Sequence, residues 1–148
     1  PHTFNEFKKY DYLFWKDDKI SINTYRMHEF VRLLDKDNSS MAIRAHDFLF
    51  GNILFELTEA MHQDRYRQQR HKYIAYVTEE IRKGGKLESQ LYRCGAILRN
   101  MKHPEIIKVN ELWWEHVNRC GIEDQISFAF VAQKFDSLTQ LPYDLEYN

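Results

Sequence analysis

Residues 125–135, Gln-Ile-Ser-Phe-Ala-Phe-Val-Ala-Gln-Lys-Phe, constrain the fold more than any other stretch. At a helical period of 3.6, Ile126, Phe128, Ala129, Phe130, Val131 and Ala132 leave little room for a polar face. A helix that is apolar nearly all round must be covered nearly all round, so other elements have to enclose it. Glu123-Asp124 opens this helix, and Gly121 ends the one before.

The enclosing elements can be read in order. Tyr10, Tyr12 and Phe14 alternate with Asp11 and Leu13, the period of a half-buried strand, and Ile20-Ser21-Ile22 begins a second. Asn23 or Thr24 caps a helix to about Asp35, with Met27, Phe30, Val31 and Leu34 on one face. Asp37–Ser40 is a turn, and the stretch Ser40–His46 reads as a short alternating strand. Phe48-Leu49-Phe50 leads to Asn52, which caps a helix bearing Ile53, Leu54, Leu57 and Met61. A polar, basic stretch follows from Gln63 to Lys72. Helical spacing resumes at Tyr73, Tyr76, Val77 and Ile81 and stops at Gly84-Gly85. Gly95–Arg99 predicts a strand, broken by His103-Pro104. Asn110 is placed as the cap of a helix carrying Leu112, Trp113, Trp114 and Val117. The tail from Asp136 has little periodicity. Strands interleaved with helices make the fold class α/β, a mixed sheet flanked by helices. No linker divides the chain, so residues 1–148 read as one domain with a tail at 136–148.

Composition bears chiefly on what the chain is not. A net charge of −1 gives no global field for nucleic acid or an anionic membrane. Cys94 and Cys120 are the only cysteines, too few for a disulfide scaffold or a zinc-ligand set. No apolar run spans a bilayer and no signal peptide is visible, which places the chain in the cytoplasm. An opening at Pro1 without Met is what is expected of a piece of something longer.

Two acidic stretches carry the chemistry. Asp17-Asp18 follows the aromatic strand, and adjacent carboxylates need solvent, a cation or a metal ion to offset their repulsion. Asp124 sits at or near a helix N-terminus, where orphan N–H groups stabilise its ionised form. It can act there as a general base or simply cap the helix. Trp113 and Trp114 point about 100° apart, so one is expected in the core and the other toward a groove that suits a sugar ring. Arg44 and His46, at the end of a strand, are candidates for a phosphate or metal contact. The basic run from Arg65 to Lys72 reads as a solvated face before it reads as an RNA contact. Glu56, Glu59 and His62 share helical spacing, but no second Glu-x-x-His repeats it. No nucleophile triad and no Gly-rich phosphate loop is present.

The order of these features is familiar. A Tyr10-x-Tyr12-x-x-Trp15-x-Asp17 strand end precedes Arg44-Ala45-His46 and a helix with the Glu pair. Leu91-Tyr92…Ile97-Leu98-Arg99 and Trp113-Trp114-Glu115…Glu123-Asp124-Gln125-Ile126-Ser127-Phe128 complete it. The chain resembles GT-A-type glycosyltransferase-like domains, in which the late motif commonly reads Arg-Asp-Gln-(Leu/Ile)-Ser-Phe. The resemblance covers nearly all of residues 1–135. It implies a GT-A-like fold and an inverting transferase that moves a sugar from a nucleotide-sugar donor to a glycan or glycoconjugate acceptor, as in polysaccharide biosynthesis. Asp17 and Asp18 are then the metal ligands, for Mn2+ or Mg2+. Lys19, where a second Asp or Asn is usual, would meet the diphosphate, with Arg44 and His46 also on the donor. Asp124 matches the base. Glu123, replacing the usual Arg, joins Trp113 and Trp114 on the acceptor.

Only sixteen residues precede Asp17, whereas the nucleotide-binding strands of such domains come earlier. The nucleotide-binding half is therefore expected to be missing or supplied elsewhere. This, with Lys19, supports an alternative: a non-catalytic glycan-binding or scaffolding module derived from a glycosyltransferase.

Overall fold

In the computed structural model, residues 5–46, 51–142 and 146–147 are described. The Phe48-Leu49-Phe50 stretch lies outside them. The chain divides into two compact units, neither of them continuous in sequence: residues 1–45, 93–110 and 137–148 form one, and residues 46–92 and 111–136 the other. Because each unit is assembled from separated segments, no linker marks the division.

The first unit is built on a mixed four-stranded sheet. Its strands are β1 (Tyr12–Lys16), β3 (Met41–Ala45), β4 (Tyr92–Asn100) and β5 (Leu138–Gln140), in the order β1-β4-β3-β5. β1 lies antiparallel to β4, with Tyr12 opposite Asn100 and Lys16 opposite Ala96. β3 and β5 are parallel, with Met41 opposite Leu138 and Ile43 opposite Gln140. A separate two-stranded ribbon joins β2 (Ser21–Ile22) to β6 (Glu146–Tyr147). Asn23 caps a 3-10 turn, Thr24–Arg26, that leads into α1 (Met27–Lys36). As its spacing predicts, α1 turns Phe30 and Leu34 inward against Ala42, Leu98 and Leu141, with Tyr12, Phe14, Met27 and Val31 packed around them. The Tyr12 hydroxyl donates to Asp35 Oδ1 at 2.6 Å and accepts from Lys102 Nζ at 2.9 Å, tying β1 to the end of α1.

Three expectations change. β3 is not an alternating strand: Met41, Ala42 and Ile43 are all buried, because β4 and β5 flank it and both its faces are covered. β5 lies in the tail that showed no periodicity, since three residues are too few to display one. The helix after His103-Pro104 begins not at Asn110 but at Ile106, giving α5 (Ile106–Cys120). His103 Nδ1 accepts the Glu105 N–H at 3.1 Å, and Asn110, inside the helix, accepts from buried Arg99 Nε at 3.1 Å.

The second unit is helical. It holds α2 (Ile53–Ala60), α3 (Asp64–Arg67), α4 (Arg70–Arg82), the greater part of α5 and α6 (Asp124–Ala132). Asn52 caps α2, accepting the Leu54 N–H at 2.9 Å. α6 is enclosed as its composition requires: every residue from Ile126 to Ala132 is buried. Ile53, Tyr73, Tyr76, Val77, Leu91 and Cys120 share its core with Ile126, Ala129 and Phe130. Gly85 marks the tightest approach, because a Cβ there would lie 2.8 Å from the Phe130 ring and 2.9 Å from the Glu80 carbonyl. No helix among the described residues is long and apolar enough to cross a membrane.

Candidate functional site

The start of α6 gathers the most unusual electrostatics in the second unit. Glu123, not Asp124, is the N-cap residue: its Oε1 accepts the Gln125 N–H at 3.3 Å, and Asp124 is the first helical residue. Ser127 Oγ donates to the Asp124 carbonyl at 2.8 Å, and the buried indole N–H of Trp113 donates to Ser127 Oγ at 3.2 Å. Asp124 is half-buried, whereas Glu123 is buried. Burial and the neighbouring Asp124 raise the pKa of Glu123. The backbone and side chain of Gln125 and the Tyr66 hydroxyl stabilise its charge in the other direction.

Glu56 of α2 joins this pair. Its side chain is only 5% exposed, and Oε1 accepts from Gln125 Nε2 at 2.9 Å. Burial first, then the Glu123 charge, push its pKa up to about 7. Tyr66 and Tyr73 respond to the same environment: burial and Glu123 raise both phenols, Tyr73 to about 12. Burial and Glu123 likewise push the Cys120 thiol up to about 12, so it is an inert core thiol. Sequence spacing had placed Glu56 with Glu59 and His62. In the structure Glu59 and His62 face each other at 4.0 Å on the exposed side, and Glu56 turns the other way. A signal was there to be read: Ile53, Glu56 and Ala60 fall on one helical stripe, and that stripe is the buried one.

The tryptophan pair divides as the 100° step between neighbours dictates. Trp113 is 9% exposed and lies against Phe128, with ring centroids 4.6 Å apart, so it belongs to the core. Trp114 is 68% exposed. It is the indole that a ligand can reach.

In the first unit, Asp17 and Asp18 follow β1 directly. The Asp17 N–H donates to the Gly95 carbonyl at 2.8 Å, and its half-buried carboxylate lies along Gly95, where a Cβ would meet Oδ2 at 3.1 Å. Asp18 and Lys19 are exposed, and Asp18 Oδ1 accepts the Lys19 N–H at 2.8 Å. Among the described residues, no three His, Cys, Asp or Glu side chains gather as a metal cage. Arg44 is half-buried in β3. His46 is half-buried just after it, and its N–H donates to the Leu91 carbonyl at 2.8 Å.

Over residues 3–146 the chain matches the TOD1/MUCI70 glycosyltransferase-like domain. The chain belongs to that family. No curated protein and no solved structure matches it. Membership of the TOD1/MUCI70 family agrees with the mixed α/β architecture and suggests a glycosyltransferase-related function. A pocket of about 510 Å³ also opens on the second unit, lined by Glu80, Lys83, Lys86, Phe130, Gln133 and Lys134 among others. It includes none of the candidate catalytic, donor, metal or acceptor residues.

Proposed function

We propose that this TOD1/MUCI70-family chain, on a GT-A-type scaffold, transfers a sugar from a nucleotide-sugar donor to a glycan or glycoconjugate hydroxyl, inverting the anomeric carbon. One observation supports this above the others: Asp124 occupies the first position of α6, at the helix's positive end, beside a buried and capped Glu123. A carboxylate so placed takes the acceptor hydroxyl proton as that oxygen attacks. The new C–O bond forms while the bond to the donor phosphate breaks, and the diphosphate departs with the electron pair. Trp114 offers an exposed indole face to the acceptor ring.

Lys19, Arg44 and His46 are the donor-phosphate residues in this reading. Mn2+ or Mg2+, held by Asp17 and Asp18 together with the donor's own oxygens, would supply positive charge to the leaving group. The second reading, a glycan-binding or scaffolding module without transfer activity, is favoured by Lys19, which stands where the resemblance expects a second Asp or an Asn.

The test is release of nucleoside diphosphate when the intact protein meets a panel of nucleotide sugars and glycans. Asp124→Asn should lower transfer by at least about 10²-fold and leave the fold intact; near-wild-type turnover would remove Asp124 from the base role. Calorimetric titration with nucleoside diphosphates and glycans separates the readings, since a module binds glycan and no donor. Manganese titration with and without Asp17→Ala tests the ion.

A further inference from the structure

Glu56 is the member of the acidic group that the transfer mechanism leaves without a task. We propose that it is a positioning residue for the Glu123–Asp124 turn: held neutral, it rests on the Gln125 amide at the start of α6 without adding charge, and ionised, it repels Glu123 and Asp124 and loosens that turn. The inference rests on the transfer reading only where Asp124 is the base being positioned.

Geometry carries the argument. The Glu56 side chain is nineteen-twentieths buried, since 5% of it is exposed. Oε1 accepts the Gln125 amide at 2.9 Å, while Oε2 is buried and receives no hydrogen bond. An ionised carboxylate requires donors on both oxygens, and burying one bare is costly; a neutral acid requires far less. The charged groups that act on Glu56 are Glu123 and Asp124 from α6 and Glu59 from its own helix, all of them carboxylates. Tyr66 of α3 donates to Glu123, and its own titration is displaced upward, first by burial. The nearby cations act elsewhere: Arg65 on Tyr66, and Lys72 on Cys120. Nothing in this set favours a charged Glu56 except the single Gln125 bond.

Gln125 makes the coupling direct. Its backbone N–H serves Glu123 and its side-chain amide serves Glu56, so one residue ties both carboxyl groups to the first turn of α6. With Glu56 neutral, the turn carries the charges of Glu123 and Asp124 alone. With Glu56 ionised, a third negative charge faces the same turn; the Gln125 bond strengthens, but the repulsion from Glu123 and Asp124 outweighs it and the cap loosens. Asp124, as the first helical residue, moves with it.

The test reads the proton itself. In the intact protein labelled with carbon-13, the Glu56 side-chain carboxyl, identified by its loss in Glu56→Gln, should titrate with a midpoint near 7. A midpoint in the ordinary glutamate range near 4.5 overturns the proposal. Glu56→Gln keeps the shape and the acceptor but has no proton to lose. Its melting temperature should draw ahead of the wild type by roughly 5 °C as pH rises from 5 to 8. Parallel melting profiles would mean a merely structural side chain and would also overturn it. If the variant does not fold, through-bond assignment of the wild-type carboxyl gives the same midpoint. Neither readout involves sugar transfer, so failure here is distinguishable from failure of the base role, which the Asp124→Asn assay alone addresses.

Discussion

Tyr76 and His116 are joined in the core of the second unit by a 2.6 Å hydrogen bond between the phenol oxygen and Nδ1, with both side chains almost wholly buried. Their rings meet edge to face at 5.7 Å. Two polar groups at this depth are tolerated because each satisfies the other.

Tyr76→Phe removes the partner and leaves His116 Nδ1 bare, at an expected cost of about 1–3 kcal/mol in urea unfolding near neutral pH. Burial, against the pull of Glu80, holds the His116 pKa below the ordinary histidine value. Its contribution to stability is therefore full above the unfolded value of about 6.5 and is lost as pH falls toward the depressed folded value. Nitrogen-15 shifts of the His116 ring should show it titrating below the ordinary histidine value of 6.5. A midpoint at or above that value would contradict the burial argument.

Arg119→Met should be costlier. Glu80 is 2% exposed and bound by the Arg119 guanidinium, which also reaches Glu79 at 3.0 Å. Burial by itself would raise the Glu80 pKa, but the Arg119 bond overcomes this and the net direction is down. Removing Arg119 strands a buried charge, a loss of about 3–5 kcal/mol, with Lys83 at 3.5 Å placing the result at the lower end. Arg119→Met combined with Glu80→Leu should recover most of that loss in guanidinium unfolding. If the double variant is no better than the single one, the charge is not the cause.

Two glycines should respond differently to alanine. At Gly85 the new methyl meets the Glu80 backbone carbonyl at 2.9 Å and the packed Phe130 ring at 2.8 Å, neither of which can yield cheaply. The expected loss is about 1–3 kcal/mol. At Gly95 the closest atom is the terminal methyl of Ile20 at 2.6 Å, which can rotate away, so the loss should stay below about 1 kcal/mol. The neighbouring Asp17 carboxylate has to shift, and weaker manganese binding at unchanged stability is the corresponding readout. Equal losses at the two sites would refute this contrast.

Asp124→Asn should lower transfer by about 10²–10⁴-fold if the residue is the general base, with melting temperature nearly unchanged. Trp114→Ala, at an exposed position, should alter stability by no more than about 0.5 kcal/mol while weakening acceptor binding. Trp113→Ala should instead unfold part of the core, since Trp113 packs on Phe128 and bonds Ser127. Calorimetry and glycan titration on these three variants separate chemistry, recognition and packing.

Much of the helical framework was legible because helices signal locally. Met27–Leu34 displays its period within a few turns, Ile126–Ala132 is apolar nearly throughout, and Asn23, Asn52 and Gly121 mark helix boundaries. β5 and the burial of β3 were not legible, because a strand's surroundings depend on neighbours far away in the chain: Met41 pairs with Leu138 across nearly a hundred residues. The identity of the cap was a near miss of the same kind. Both Glu123 and Asp124 can cap a helix, and only the backbone's extended conformation at Glu123 assigns the place to it.

By itself the sequence determined that α6 must be enclosed, that α1 has a single buried face, that only one of two adjacent tryptophans can lie in the core, and which family the chain resembles. Each of these follows from residue types within one or two helical turns, or from motifs in a fixed order. Tertiary structure alone decided that Glu56 comes within hydrogen-bond reach of Gln125, that His116 meets Tyr76, and that Glu80 depends on Arg119. Those partners lie 39 to 69 residues apart, and the protonation state of each group is set by its burial and by the charges beside it, which no local pattern encodes.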